Sequence, residues 1–236
     1  MAAEYALRKV TIDRGRSVED PLKEECKFVS KNDLALLLRE VDKRAGDDPT
    51  HWVRWRALLY LAAFTGMRLG ELRGLQWKHV EYNRGVIMVR QMADERNTIY
   101  PPKSRCGNRD IPLAKIVINV LSEWRLATEW KSEADFVFAN GSGGLDNHGN
   151  VHGRFYSPLQ RAALGEKKYN FHALRHTAAS MFIEQGLNAK KLQMVVGHED
   201  IGTTLNVYGH MLSPVEDDRE LVDQAVAGIV ALRDQE

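Results

Sequence analysis

Between Gly85 and Leu113 the hydrophobic pattern drops the helical period that it keeps on both sides. That interruption limits the chain to a mostly helical fold with a small sheet inserted early. Before it, Ser30-x-x-Asp33 has the form of a capping box, and Leu34, Leu37, Leu38 and Val41 follow at the spacing of one helix face. A second helix is expected from about His51 to Phe64, broken by Gly66, and a third from near Arg68, carrying Leu69, Leu72 and Leu75. Inside the interruption GVIMVRQ reads as a strand, DERN as a turn, and TIYPPK and RDIPL as two further extended pieces. Together they predict a small antiparallel sheet of two or three strands. Helix returns over about 113–130, with Ile116, Val117, Val120, Leu121 and Trp124 on one side. FVFA is a short buried strand or turn, and the glycine-rich NGSGGLDNHGN a flexible surface loop. Short helices are expected at about 151–164, 171–185, 189–196, 201–209 and 214–232. The fold class is mostly α with a small antiparallel β-sheet (α+β).

Several classes drop out on composition. No apolar run approaches the roughly 18–20 residues that a membrane-spanning helix needs, and the charged N-terminus lacks the apolar stretch of a secretory signal. Cys26 and Cys106 are the two cysteines and lie far apart, which suggests reduced thiols in a cytoplasmic setting. A formal net charge of +1 is weak for a nucleic-acid binder. Its distribution is more informative. Residues 211–236 carry seven acids against two bases, a balance of −5, so the preceding 210 residues carry +6. A mildly basic body ends in an acidic tail, which a solvated acidic helix would also explain.

Four short segments hold the chemistry: TGMRLGELRGL, PPKSRCGNRDIPL, FHALRHT and VVGHEDIGTTLNVYGH. His172 and Arg175 stand three apart at a helix start, so they share a face, and free backbone N–H groups there already favour an anion. Arg68 also opens a helix after a glycine turn. Two arginines can grip both non-bridging oxygens of a phosphate with planar forked donors, which lysine cannot imitate. Lys103 follows a Pro-Pro pair at a turn, where a mobile amine can protonate a departing alkoxide. Tyr208 has a hydroxyl with an ordinary pKa of about 10, so it needs a base or a cationic field to act as a nucleophile, and His172 and His198 are available. Taken singly, each of these is an ordinary surface or packing feature.

Their order and spacing together resemble the tyrosine recombinase (phage integrase) family, over roughly residues 30–212. The family pattern is an Arg in G-x-R-x-x-E-L, a hairpin Lys, H-x-x-R, then L-G-H with a Tyr about ten residues on. Here it is filled by Gly66-Met67-Arg68-Leu69-Gly70-Glu71-Leu72, by Lys103, by His172-Ala173-Leu174-Arg175, and by Val196-Gly197-His198 followed by Tyr208. Val196 in place of Leu is a conservative packing change. The resemblance implies the integrase catalytic-domain (DNA breaking-rejoining enzyme) fold and strand exchange through a 3′-phosphotyrosyl link. It implies that Arg68 and Arg175 hold the scissile phosphate, Lys103 protonates the 5′-hydroxyl, and His172 acts as general base or orients Tyr208. It further implies that His198 hydrogen-bonds the phosphate and Tyr208 attacks, with no metal or other cofactor. Glu71 is a candidate orienter of Arg68, or a plain helix ion pair.

Competing readings are weaker. His172 and His176 have the i, i+4 spacing of a helical zinc pair but lack the glutamate of H-E-x-x-H, and His176 is read as a buried structural partner. His148 and His152 repeat that spacing in a glycine-rich loop. Tyr100, Tyr156 and Tyr169 lack the relation to a Gly-His pair that Tyr208 has. Gly143-Gly144 is followed by no Lys-Ser/Thr, so it is no phosphate loop. Trp52, Trp55 and Tyr60 read as core.

Three segments are expected: 1–29, a linker or the remnant of an upstream core-binding domain; 30–212, the catalytic domain; and 213–236, a C-terminal helix. The last carries the apolar stripe Val215, Leu221, Val222, Ala225, Val226, Ile229 and Leu232 under an acidic face, and packs either on its own domain or on a neighbouring protomer. The expected partner is double-stranded DNA, bound as a homo-tetramer on paired sites, with a monomer possible without DNA. A type IB topoisomerase and a non-cutting DNA-binding module are the alternatives. The chain is read as a piece of a longer protein or as a naturally short one.

Overall fold

The structure, a computed structural model, describes residues 28–102 and 105–209. Most of the expected linker, Lys103, Cys26 and the expected C-terminal helix lie outside the described residues.

The first helix, α1 (Lys31–Asp47), starts where the cap predicts: the Ser30 hydroxyl accepts from the Asp33 N–H at 3.1 Å. The reciprocal half of the box is absent, because the Asp33 carboxylate instead accepts from Lys167 and from the Tyr169 hydroxyl. α1 buries Leu34, Leu37, Val41 and Ala45, one stripe at helical spacing. The chain turns at Asp48, whose carboxylate caps α2 (Pro49–Thr65), with Pro49 in the first turn where its missing N–H costs nothing. α2 starts earlier than its apolar pattern suggests, and it is buried nearly all round. Trp55, Ala57, Leu58, Leu59, Leu61, Ala62 and Ala63 all sit in the core, the signature of a central helix. Trp55 stacks on Phe155 with ring centroids 4.8 Å apart, so the aromatic set of this helix is packing, as expected. Gly66 ends α2 with φ 66°, a left-handed turn that suits glycine.

A short helix, α3 (Leu69–Arg73), leads into β1 (Val80–Glu81), β2 (Val86–Val89), β3 (Met92–Ala93), β4 (Ile99–Tyr100) and β5 (Arg109–Pro112). The expected single sheet is divided in two. β1, β2 and β5 form an antiparallel sheet in which Ile87 faces Ile111 and Val89 faces Arg109. β3 and β4 form a separate hairpin, closed by the Asp94 carboxylate accepting from the N–H groups of Arg96 and Thr98. The division has a steric origin, since the strand GVIMVRQ breaks after Val89 and Met92–Ala93 lies flat against α3. A Cβ on Gly70 would come within 2.6 Å of the Ala93 carbonyl oxygen, so this approach needs glycine.

α4 (Lys115–Ala127) packs on α2 through Val117, Val120, Leu121 and Trp124. The loop expected to be flexible is tied down: the Asn140 side chain donates to Leu145 O and accepts from Gly144 N–H, and buried Asp146 pairs with Arg54 at 2.9 Å. Val137, Phe138 and Ala139 of FVFA are buried without forming a strand, and Phe136 and Ala139 make isolated bridges with Gln76 and Leu145. The helix expected from 151 is continuous with α5 (His148–Asn150). It winds as a π-helix over Val151–Tyr156 before α6 (Ser157–Leu164). Three helices follow: α7 (Ala173–Glu184), α8 (Ala189–Val196) and α9 (Ile201–Tyr208). α7 packs on α2, and α8 bridges α7, α9 and β5. A second, smaller core of Ala179, Ile183, Leu192, Val196 and Tyr208 forms where α7, α8 and α9 meet. Among the described residues no helix is long and apolar enough to cross a membrane.

Candidate functional site

Arg68 enters the site because α2 ends in a glycine turn and α3 begins immediately after it. Its backbone N–H donates to Glu71 Oε2 at 2.8 Å, its Nη1 to Glu71 Oε1 at 3.1 Å, and its Nη2 to the Gly197 carbonyl at 3.0 Å. Glu71 is buried and does more than pair along its own helix. Arg109, on β5, donates to both of its oxygens at 2.9 Å through Nη1 and Nη2, and its Nε donates to Val195 O at 2.7 Å. One carboxylate therefore fixes two guanidinium groups, and Arg109 ties the sheet to the end of α8. Burial alone would push the Glu71 carboxyl up, but the hydrogen bonds and charge of Arg109, with the charge of Arg68, hold it below its ordinary value.

Gly197 closes this arrangement. It ends α8 with φ 74°, and a Cβ there would lie 2.7 Å from Arg109 Nη1. Both the backbone conformation and the packing against a guanidinium exclude a side chain. The turn carries His198 inward to 9% exposure, where its Nδ1 meets Thr204 Oγ1 on α9 at 2.9 Å.

Arg175 lies in the first turn of α7 at 2% exposure. Its Nη1 donates to the Gly66 carbonyl at 2.7 Å, while its Nη2, also buried, has no hydrogen-bond partner among the described residues. An unpartnered buried donor costs about 1–3 kcal/mol, more when charged. Burial, then the charge of Arg68, pushes Arg175 down to about 9, against the upward pull of Glu71. His172 stands exposed at the start of α7 with its ring edge-on to His176, centroids 4.9 Å apart. Desolvation first, then His176, Arg175 and Arg68, pushes His172 down to about 4. His198 is likewise pushed down to about 4, by burial and then by Arg175, Arg68, His176 and His172.

Tyr208 ends α9 at 2% exposure, with its ring in the second core and parallel to His198 (8° between planes, centroids 6.3 Å apart). Its hydroxyl meets His176 Nδ1 at 2.7 Å. Five of the six expected residues thus converge on one place, and Lys103 lies outside the described residues. Two further residues reach this place that were not among the six. Arg109 was read only as part of a strand, although it follows Lys103 in the same segment. His176 was read as a structural partner, although it lies one turn of α7 beyond His172 and so shares its face. The rival tyrosines sit elsewhere: Tyr156 is in the main core with its hydroxyl pushed well above the ordinary range by burial, Tyr169 bonds Asp33, and Tyr100 is exposed. Among the described residues no group of three or more His, Cys, Asp or Glu is arranged to hold a metal ion.

The profile of the phage integrase family matches residues 27–213. The chain is 30% identical to the "Tyrosine recombinase XerC-like" protein of Caldanaerobacter subterraneus subsp. tengcongensis, over 67% of this chain and 46% of that one. It is 28% identical to the "Integrase" of Staphylococcus phage L54a, over 92% of this chain and 66% of that one. Among solved structures, the Tn1549 transposon integrase in complex with circular intermediate DNA matches at a TM-score of 0.68, with 24% identity over 86% of this chain and 68% of that one. The catalytic domain of bacteriophage HP1 integrase matches at 0.51, with 21% identity over 82% of this chain and 93% of that one. The expected catalytic-domain fold is therefore the observed one. The chain spans less than two thirds of the length of both curated relatives.

Proposed function

Since the chain belongs to the phage integrase family, we propose that it is a site-specific DNA recombinase that cleaves and rejoins strands through a 3′-phosphotyrosyl link at Tyr208, in integration or excision of a mobile element. The observation that carries this reading is the Nη2 of buried Arg175, a cationic donor with no hydrogen-bond partner among the described residues. A phosphate oxygen is the partner such a donor lacks. In this reading Arg68, held by Glu71 and the Gly197 carbonyl, grips the phosphate from the other side. Together the two guanidinium groups stabilise the charge that grows on the pentacoordinate phosphorus. His198 adds a third donor in the tautomer whose Nδ1 accepts from the Thr204 hydroxyl and whose proton is on Nε2. His172, at the open edge of the site, faces the incoming DNA. Lys103 protonates the 5′-oxygen as it leaves. The bond energy is kept in the phosphotyrosine, so rejoining needs no nucleotide.

Double-stranded DNA is the proposed partner, with a homo-tetramer on paired sites as the working assembly and the cytoplasm as its location. Residues 30–212 are the catalytic domain in this proposal. Residues 1–29 belong to a linker or upstream clamp, and residues 213–236 dock on this domain or on a neighbouring protomer. The test is to incubate the protein with a library of nicked duplexes of random sequence, trap covalent adducts on a denaturing gel, and sequence the trapped DNA. Wild type is expected to yield an enriched sequence and Tyr208→Phe no adduct. Equal adducts from both proteins, or none from either, refute the reading. Relaxation of supercoiled plasmids that lack the enriched sequence would favour a topoisomerase instead.

A further inference from the structure

A phenol that attacks phosphorus must lose its proton, and at 2% exposure Tyr208 has little access to bulk water to take it. The acceptor therefore has to be a protein group in contact with the hydroxyl. Among the described residues three imidazoles surround this site, and their geometry separates them. His198 lies parallel to the Tyr208 ring, and its Nδ1 is engaged by Thr204 Oγ1. His172 is exposed, and its ring contact is with His176. His176 places Nδ1 2.7 Å from the phenol oxygen, within the range in which a base can take a proton directly.

We propose that His176, and not His172, is the proton acceptor for the Tyr208 hydroxyl in the cleavage step, and the donor that returns the proton on rejoining. The inference rests on the proposed strand-transfer reaction and assigns one step within it. As the Tyr208 Oη–phosphorus bond forms, the phenol proton moves to His176 Nδ1, and the ring becomes an imidazolium with both nitrogens protonated. The phosphorus–O5′ bond breaks, and the 5′-oxygen leaves with a proton from the general acid assigned to Lys103. On rejoining the 5′-hydroxyl attacks, its proton returns to that amine, the phosphorus–Oη bond breaks, and the phenolate recovers its proton from His176. No electron acceptor or further reactant is needed.

The surroundings suit the role. Burial, then the charge of Arg175 in the same helix turn, holds the His176 imidazole below its ordinary value, so at neutral pH the ring is uncharged and has a lone pair to offer. The α7 backbone fixes its position, with His172 four residues before it and the Ser180 hydroxyl donating to its carbonyl four residues after. Tyr208 arrives from α9, so the contact joins two elements that meet in the second core.

Two measurements on the full chain test the assignment. The first is nitrogen-15 NMR of the histidine side chains without DNA. In wild type His176 Nδ1 is expected to be unprotonated and hydrogen-bonded, and its resonance should shift in Tyr208→Phe. A proton found on Nδ1 at neutral pH overturns the proposal, because the ring would then be donating to the phenol. The second is the single-turnover rate of adduct formation on a duplex recovered from the nicked library. His176→Gln keeps a polar side chain but cannot accept the proton. It is expected to lose on the order of 10²–10⁴ in rate, with duplex binding and melting temperature retained, while His172→Gln loses markedly less. Near wild-type rates in His176→Gln, or a larger loss in His172→Gln, overturn it. If wild type forms no adduct on any duplex, the recombinase reading itself has failed, and the proton position still decides what His176 does to Tyr208.

Discussion

Removing Arg109 should unfold the catalytic pocket before it touches any reacting atom. Arg109 and Glu71 are both about 5% exposed in their side chains and are joined by two bonds of 2.9 Å, so Arg109→Met leaves a buried carboxylate short of its main partner. Breaking one side of such a pair costs about 3–5 kcal/mol. For a chain of this size each kcal/mol moves the melting temperature by roughly 2–4 °C, so the expected fall is roughly 6–20 °C. Thermal unfolding followed by circular dichroism at pH 7 reads it. Glu71→Gln should cost a similar amount, because it strands two guanidinium groups. The double variant should be less damaged than the sum of the singles, since it leaves no unpaired carboxylate.

The pH dependence carries its own sign. The folded Glu71 carboxyl sits below its unfolded value of 4.5. Its contribution is therefore complete above about pH 4.5 and is lost as the pH falls through the folded value. The stability gap between wild type and Glu71→Gln should narrow below pH 4.5. A melting temperature for Arg109→Met within about 2 °C of wild type, or strict additivity in the double variant, would refute the view that this pair holds Arg68 in place.

Gly197→Ala should lower stability by more than the roughly 1–2 kcal/mol of a left-handed alanine, because its Cβ also meets the Arg109 guanidinium. Melting curves check this, and a stability within 0.5 kcal/mol of wild type, the scale of an ordinary surface change, would contradict the geometry. Arg175→Lys keeps the charge but loses the fork, and adduct formation should fall by about 10²–10³-fold with duplex binding largely kept; an unchanged rate would remove Arg175 from the phosphate. Lys103→Ala should lose cleavage on an ordinary duplex and regain it on one whose 5′-bridging oxygen is replaced by sulfur, a leaving group that needs no acid; failure of that rescue would assign Lys103 another role. His172 and His198, both held to about 4 against an ordinary 6.5, bind fewer protons folded than unfolded, so wild-type stability should fall as pH drops from about 6.5 towards 4. His198→Gln should flatten that slope, and an unchanged slope would argue against a buried neutral ring.

Much of this site was legible because its parts lie in short contiguous motifs. His172 and Arg175 announce a shared helix face by spacing alone, and Gly66 and Gly197 mark the turns that deliver Arg68 and His198. The start of the first helix at Ser30 followed from its cap and the apolar spacing after it. The split of the sheet was hidden, because it depends on how closely Met92–Ala93 approaches the glycines of α3, a contact between segments about twenty residues apart. Arg109 was hidden for the same kind of reason. In a strand read by alternation an arginine looks like an outward-facing residue, yet its alternation places it inward, where Glu71 neutralises it. The contact of His176 with Tyr208 was not legible, since it forms where α9 meets α7 in space.

The electrostatics of the pocket explain why these supports exist. Arg68, Arg109 and Arg175 converge with Glu71 as the carboxylate that two of them share, and Arg175 feels both other arginines as repulsion. Desolvation lowers each neighbouring histidine, so His172, His176 and His198 are neutral at pH 7 and add no charge to the excess. The excess is therefore confined to guanidinium groups whose forks are already oriented by Gly66, Gly197 and Glu71. In the proposed reaction a phosphate entering there relieves the repulsion and satisfies Arg175 Nη2 in one step, and the relief grows as negative charge accumulates on the phosphoryl oxygens. The same neutrality leaves the imidazole beside Tyr208 free to take a proton, which a charged ring could not do. Phosphate binding and base catalysis are thus compatible in one small volume, because desolvation and the neighbouring cations keep the histidines neutral while the arginines stay charged.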